Sequence, residues 1–334
     1  MQLLRKIAFP ISLIYAAVVH VRNLLYDLNI FESKSFKTPT ICVGNLSVGG
    51  TGKTPMVEYL VALLTKEYKV AVLSRGYKRK SKGFVLASPN NTVEDIGDEP
   101  YQIHSKYNEV PVAVDVDRRN GISKLEELVK PDIIILDDAF QHRKVSPTIS
   151  ILLTSYGSLY NDDWYLPTGN LRDSKREARR AHIIIVTKCP HDLSEKAQKA
   201  MISKLRPRGD QMILFSCLKY SNVHSEKGVQ TEVDSLKKMK ITLVTGIANP
   251  EPLVEYLKNK GLLFEHLSFK DHYFFTQEDI EILNAKDYVL TTEKDYVRLK
   301  GRVRNLHYIS VGHSFLNDGE AVLSAELKKS IKQC

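Results

Sequence analysis

The sequence predicts an α/β fold, a mostly parallel sheet covered by helices, followed by a second and smaller αβ domain. Three observations carry this. Short apolar runs rich in Val and Ile recur along residues 40–300 without the in-and-out alternation of half-exposed strands, so the strands they form are buried on both faces. Helix-patterned segments separate them, the order that the crossovers of a parallel sheet require. A glycine-rich loop stands between the first strand and the first of these helices.

The elements follow in order. Residues 7–19 are nearly all apolar, with Arg5 and Lys6 before them and His20 and Arg22 after. That run is too short for the ~20 residues a bilayer-spanning helix needs. No small-residue cleavage site follows it, which argues against a secretory signal. A buried core helix is the reading that composition alone prefers; the other is a helix lying on a membrane, its apolar face of Leu3, Leu4, Ile7, Ile11 and Ile14 in lipid and its basic residues at the phosphates. Residues 40–43 form a strand, and 55–66 a helix with Met56, Val57, Leu60, Leu63 and Leu64 on its buried side. Strands are expected at 69–73, 111–114, 133–136, 149–153 and 182–186, with a helix at 122–129 and a charged surface helix at 194–205. Residues 221–240 are polar and read as loop. A second αβ group has strands at 241–245, 262–267, 288–291 and 307–311 and helices at 250–260 and 277–283. The boundary falls between about 205 and 240, giving a helix in 1–30, a core domain in 31–215 and a smaller domain in 216–334.

With 43% hydrophobic and 26% charged residues, the chain has enough apolar mass for a core and too much charge for a polytopic membrane protein. Its net charge of +9 points to anionic partners. Nucleic acid is not expected, because basic and aromatic residues do not interleave in any recognisable binding module. The four cysteines, Cys42, Cys189, Cys217 and Cys334, show no metal-binding or disulfide spacing.

The chemistry begins at Ser47, Val48, Gly49, Gly50, Thr51, Gly52, Lys53 and Thr54. A phosphate-binding loop needs inward-turned backbone N–H groups, glycines that permit them, a lysine for the β- and γ-phosphates and a hydroxyl for Mg²⁺ at a helix N-terminus. Ser47 stands where the strict spacing has glycine, but a strand before and a helix after supply the right context. The fold is therefore P-loop NTPase-like. A buried strand ending in a metal-holding acid is the usual companion, and residues 131–138 end in Asp137 and Asp138.

Taken together, residues 43–55, Leu73-Ser-Arg-Gly-Tyr77, Gly97-Asp-Glu-Pro100, 136–142, Asn170-Leu-Arg172, Phe269-Lys-Asp-His272 and Thr291-Thr-Glu-Lys-Asp295 resemble the tetraacyldisaccharide 4'-kinases, the lipid A kinases of Gram-negative bacteria. The motifs run in the family's order over nearly the whole chain. The resemblance implies that ATP phosphorylates the 4'-hydroxyl of a tetraacyldisaccharide 1-phosphate at the cytoplasmic face of the inner membrane. It also implies a peripheral, monomeric enzyme with a nucleotide cleft between its two domains, and it favours the membrane helix for residues 1–30.

An alcohol attacking a γ-phosphoryl group needs a carboxylate that orients it or takes its proton. Asp98 is the candidate, and the resemblance pairs it with His272; by residue pattern alone Asp98 reads as a helix N-cap. Asp137 and Asp138 would hold Mg²⁺ with Thr54, and Arg172 would meet the γ-phosphate. Asp173 replaces the family's usual Glu. Arg75 and Tyr77, in a basic stretch, are candidates for the lipid substrate. The part played by residues 291–295 is not derivable from sequence beyond a helix cap at Thr292. Two other function classes fit the loop: a membrane-attached ATPase switch, against which Val48 stands where such loops carry an extra lysine, and a soluble P-loop synthetase, which has no use for residues 7–19.

Overall fold

The structure, a computed structural model, describes Arg5 and residues 7–333; Leu3, Leu4 and Lys6 of the expected anchor, and Cys334, lie outside the described residues. Its first half carries β1 (Thr40–Asn45), β2 (Val70–Ser74), β3 (Val85–Leu86), β4 (Val112–Val114), β5 (Ile133–Asp137), β6 (Ile149–Ser155) and β7 (Ile183–Thr187). The second carries β8 (Met212–Ser225), β9 (Gln230–Thr231), β10 (Ile241–Thr245), β11 (Phe264–Ser268), β12 (Tyr288–Thr292) and β13 (Leu306–Phe315). All belong to one sheet in the order β11-β10-β12-β13-β8-β7-β6-β1-β5-β2-β4-β3, with β9 beside β8. The pairings are parallel except β8 with β13 and β9, and β3 with β4.

The helices are α1 (Phe9–Asp27), α2 (Lys53–Leu64), α3 (Val93–Ile96), α4 (Asp98–Lys106), α5 (Arg118–Leu128), α6 (Glu195–Leu205), α7 (Glu251–Asn259), α8 (Gln277–Asn284), α9 (Glu293–Leu299) and α10 (Gly319–Lys332). Met56, Leu60 and Val61 of α2 share one apolar layer with Leu323 and Leu327 of α10. Ile122 and Leu125 of α5 fill the opposite face. The chain end thus packs back onto the first half.

The segment 221–240 is not a loop. β8 runs fourteen residues through the expected boundary at 215/216, Met212–Phe215 pairing with β7 and Ser216–Ser225 with β13. Its outer stretch exposes Lys219 and Asn222, so its sequence lacks the unbroken apolar run that marks the other strands. β9 and a 3-10 turn at Val233–Lys238 occupy most of the rest.

Helix α1 is longer than its apolar run suggests, and by length and composition it could cross a membrane. Pro10 sits in its first turn, where its missing N–H costs no hydrogen bond. The helix turns Ser12 and Asn23 to the protein with Val19 between them, while Ile11, Ile14 and Val18, and Ile7 just before it, are each more than half exposed. Burial of an apolar core stripe would give the reverse arrangement. Ser12 bonds Thr168 (2.8 Å) near one end of the helix and Asn23 bonds Asp173 (2.8 Å) near the other, so α1 lies along the body.

Candidate active site

The sheet changes direction of winding at β1, which lies between β5 and β6, and it is outside the carboxyl ends of strands at such a point that α/β proteins build their sites. Here the ends of β1, β2 and β5 deliver the glycine loop, Ser74 and Asp137. A cleft of about 1030 Å³ opens above them, closed on the far side by residues of the second half such as Asn249, His272 and Lys294.

Gly52 caps α2 in a left-handed conformation (φ 86°), which turns the loop into the helix at Lys53. Val48 to Thr54 all line the cleft. Ser47 is placed differently: its backbone bridges Leu171 and its hydroxyl is buried without a partner. The Thr51 hydroxyl is turned down to accept from the Asn45 amide (2.8 Å), leaving its backbone at the wall. The Asn170–Arg172 segment is stitched to the loop by Val48 N–H to Asn170 O (2.8 Å) and Arg172 N–H to Leu46 O (2.9 Å).

Asp137 and Asp138 follow at the end of β5. Asp137 accepts from Ser74 (2.9 Å), while its other carboxylate oxygen is buried with no partner. Burial first, then the Glu99 and Asp138 charges, raises its carboxyl well above the usual range. Asp138 behaves oppositely: burial would raise it, but Lys53 at 3.8 Å and the Arg172 fork hold it at about 2. Arg172 itself grips Asp138 and the Asn45 side chain. The orphaned Asp137 oxygen beside a second carboxylate, in a cleft that Thr54 also lines, suits a divalent ion that takes few protein ligands and completes its shell with phosphate and water. Among the described residues no cluster of three or more His, Cys, Asp or Glu could hold such an ion alone.

Asp98 is not the cap of its helix. Gly97 takes that position at φ 92°, where a Cβ would meet the Tyr77 carbonyl at 2.9 Å, and Asp98 becomes the first residue of α4. Its carboxylate is thereby freed for other partners. Oδ2 meets His272 Nδ1 at 2.5 Å, and Arg298 forks onto both oxygens, its Nε 3.1 Å from Oδ1. Burial raises this carboxyl, but the His272 and Arg298 bonds outweigh it and hold it at about 2. A carboxylate only accepts, so Nδ1 carries the imidazole hydrogen and Nε2 takes one from Lys294 (3.2 Å). His272 is an orienting donor here.

Residues 291–295 now acquire a part. Thr292 caps α9, and its hydroxyl also donates to Asp295 (2.7 Å). Asp295 in turn receives the Gly246 N–H (2.8 Å), and the Gly246 carbonyl accepts the His272 N–H (3.1 Å). The motif builds the platform on which His272 stands at a left-handed φ of 58°. Arg75 and Tyr77 both line the cleft, and the Tyr77 ring lies edge-on to His272 at 5.6 Å. Gln141 and His142 line it too; burial first, then Arg118, holds His142 neutral down to about 4.

Sequence reasoning missed three residues. Arg298, one helical turn beyond the last motif, resembles any surface arginine until α9 is folded against Asp98. His313 of β13 is buried; its Nε2 donates to the Gly52 carbonyl (3.0 Å) while Ser216 donates to its Nδ1 (3.0 Å). Burial keeps it neutral down to about 4. Lys188, at the end of β7, lines the cleft near Gly50; burial lowers its pKa, and among the described residues no carboxylate pairs with it. Nothing near these two in sequence signals a site. Lys106 further ties α2, α4 and α9 together by bonding Glu58 (2.7 Å) and Glu293 (2.9 Å).

Comparison with known proteins agrees with this geometry. Residues 4–332 match the family model described as LpxK, tetraacyldisaccharide-1-P 4'-kinase. A tetraacyldisaccharide 4'-kinase of Flavobacterium johnsoniae is 49% identical over 95% of this chain and 94% of its own. One from Cytophaga hutchinsonii is 38% identical over 98% and 96%. The crystal structure of LpxK from Aquifex aeolicus in complex with ATP superimposes with a TM-score of 0.80, at 31% identity, covering 98% of this chain and 99% of that one.

Proposed function

Since the chain belongs to the tetraacyldisaccharide 4'-kinase family, an ATP-dependent kinase of lipid A biosynthesis, we propose which of its residues perform the transfer and where it acts. The glycine loop from Val48 to Thr54 cradles the ATP phosphates through its backbone, and Lys53 neutralises the β- and γ-oxygens. Asp137, Asp138 and Thr54 would hold Mg²⁺, which when bound supplies charge neutralisation at the phosphates. Arg172, which grips Asp138 in this structure, would turn to the γ-phosphate. Asp98 orients the 4'-hydroxyl and accepts its proton late, as the new bond forms; a loose phosphoryl-transfer transition state places little demand on base strength. His272 and Arg298 fix the carboxylate from behind. The observation that carries this reading is one cleft lined by a phosphate loop and an acid pair, with a doubly anchored carboxylate, Asp98, held at its edge by His272. Incubation with ATP, Mg²⁺ and a tetraacyldisaccharide 1-phosphate in detergent, followed by mass analysis, tests it: the expected product is the bisphosphorylated lipid, and ATP hydrolysis without phosphorylated lipid would refute it.

The outward apolar face of α1, with Arg75, Lys78, Lys80 and Lys82 around Tyr77, supports docking on an anionic membrane surface; we propose that this is the cytoplasmic face of the inner membrane and that the enzyme docks as a monomer. Substituting Ile11, Ile14 and Val18 together by Asp is expected to abolish sedimentation with anionic vesicles and to leave the melting temperature unchanged, since these side chains are mostly in solvent. Wild-type binding is expected to weaken with salt, because screening acts on the basic residues. Vesicle binding that survives the triple substitution would remove α1 as the anchor.

A further inference from the structure

Asp173 has no contact with solvent. Its Oδ1 accepts from Asn23 (2.8 Å) and from the Ser174 N–H (2.8 Å), and its Oδ2 accepts from Arg22 (2.9 Å). Both oxygens are therefore spent, two of the three bonds coming from α1, and the carboxylate is directed at the helix instead of the cleft. Its chain neighbour is Arg172. The main chain of Arg172 is held on both sides: its N–H by the Leu46 carbonyl (2.9 Å) at the entry of the phosphate loop, and its carbonyl by the Tyr15 hydroxyl of α1 (3.1 Å). Arg143 adds another tie between α1 and the body by donating to the Asn23 carbonyl (3.0 Å).

These contacts join two things that the fold could have kept apart. The face of α1 turned to solvent is apolar, and the face turned to the protein contacts the residue pair 172–173 over two turns of helix. A buried carboxylate that loses one of its donors keeps an acceptor unsatisfied at a cost in stability, which couples the position of Asp173 to that of the Arg22–Asn23 pair. A displacement of 1 Å at a charge-stabilising group costs about 10²-fold in rate.

We propose that Asp173 is a positioning residue that latches the membrane helix to Arg172, so that the arginine reaches its working place only when α1 is seated on the body. The inference rests on the assignment of Arg172 to the γ-phosphate. It gives α1 a part in turnover beyond holding the enzyme near its lipid: unseating the helix lowers the rate even when substrate is not limiting.

The test uses the full chain in detergent micelles at saturating tetraacyldisaccharide 1-phosphate, where membrane docking no longer limits the rate. Asn23→Ala is expected to lower kcat by about 10–100-fold, with the KM for ATP and for the lipid changed less than about twofold. Asp173→Asn, which keeps size and loses charge, is expected to do the same; if it fails to fold, Tyr15→Phe provides a milder break with an effect in the same direction. The second arm is a double-mutant cycle with Arg172→Ala. If α1 acts through Arg172, Asn23→Ala costs little further activity in that background. Multiplicative losses, or an Asn23→Ala effect confined to the lipid KM, would overturn the latch. An Arg172→Ala enzyme with wild-type kcat would instead overturn the assignment of Arg172, a separate failure.

Discussion

Lys53→Ala and Thr54→Ala enzymes are expected to fold normally and to lose at least about 10²–10³-fold in turnover, the usual worth of a preorganised charge or donor at a transition state. Neither side chain belongs to the core. Met56, Val57 and Leu60, on the far side of α2, carry the packing, while Lys53 faces Asp138 at 3.8 Å across the cleft. Loss of the ammonium also removes the strongest influence holding Asp138 ionised against burial. Steady-state kinetics with circular dichroism melts decide the matter: wild-type turnover in either variant would take the loop out of the mechanism.

Asp98→Ala is expected to lower kcat by about 10²–10⁴, with little change in ATP affinity. His272→Ala costs less, because it removes an orienting donor and leaves the acceptor, and the double variant loses less than the product of the two single losses if the pair acts as a unit. The Arg298 fork makes a sharper test through pH. With the Asp98 carboxyl held at about 2, the native enzyme has no acid limb from this group near neutrality. Arg298→Met leaves burial and removes the cation, so the carboxyl rises and an acid limb in kcat/KM moves to higher pH. The sign for stability follows from the same depression: pairing of Asp98 stabilises the fold above its ordinary pKa, near 3.9, and that contribution fades as pH falls towards about 2. An Arg298→Met enzyme with an unmoved pH profile would detach Arg298 from Asp98.

Much of this site was legible before folding, for a physical reason. Strands buried on both faces read as unbroken apolar runs, so β1, β5 and the loop and acids at their ends stand out in a single pass. β8 escapes that pattern because its outer half lies in an irregular antiparallel pairing in which exposed Lys219 and Asn222 interrupt buried Cys217 and Val223. The helix α10 was missed although Leu323, Leu327 and Ile331 recur at helical spacing and could have revealed it. The orientation of α1 was also half visible: Ser12 and Asn23 are about three turns apart, hence on one face, two polar residues bracketing a mainly apolar stretch. Arg298 and His313 carried no such trace. Their contacts with Asp98 and with the Gly52 carbonyl join segments 200 or more residues apart in sequence.

The fourteen residues of β8 have a mechanical consequence. The strand passes from β7 to β13 and joins the part of the sheet that bears the glycine loop to the part that bears His272, with one register shift opposite Ile309–Val311. The two halves are therefore joined by a paired strand and not by a slack tether. A narrowing of the cleft around ATP is expected to be taken up as sheet twist, with the register shift opposite Ile309–Val311 as the place where the strand bends most readily. The protein works as a leaf spring, and His313, reaching from β13 to the Gly52 carbonyl, is where that spring bears directly on the loop.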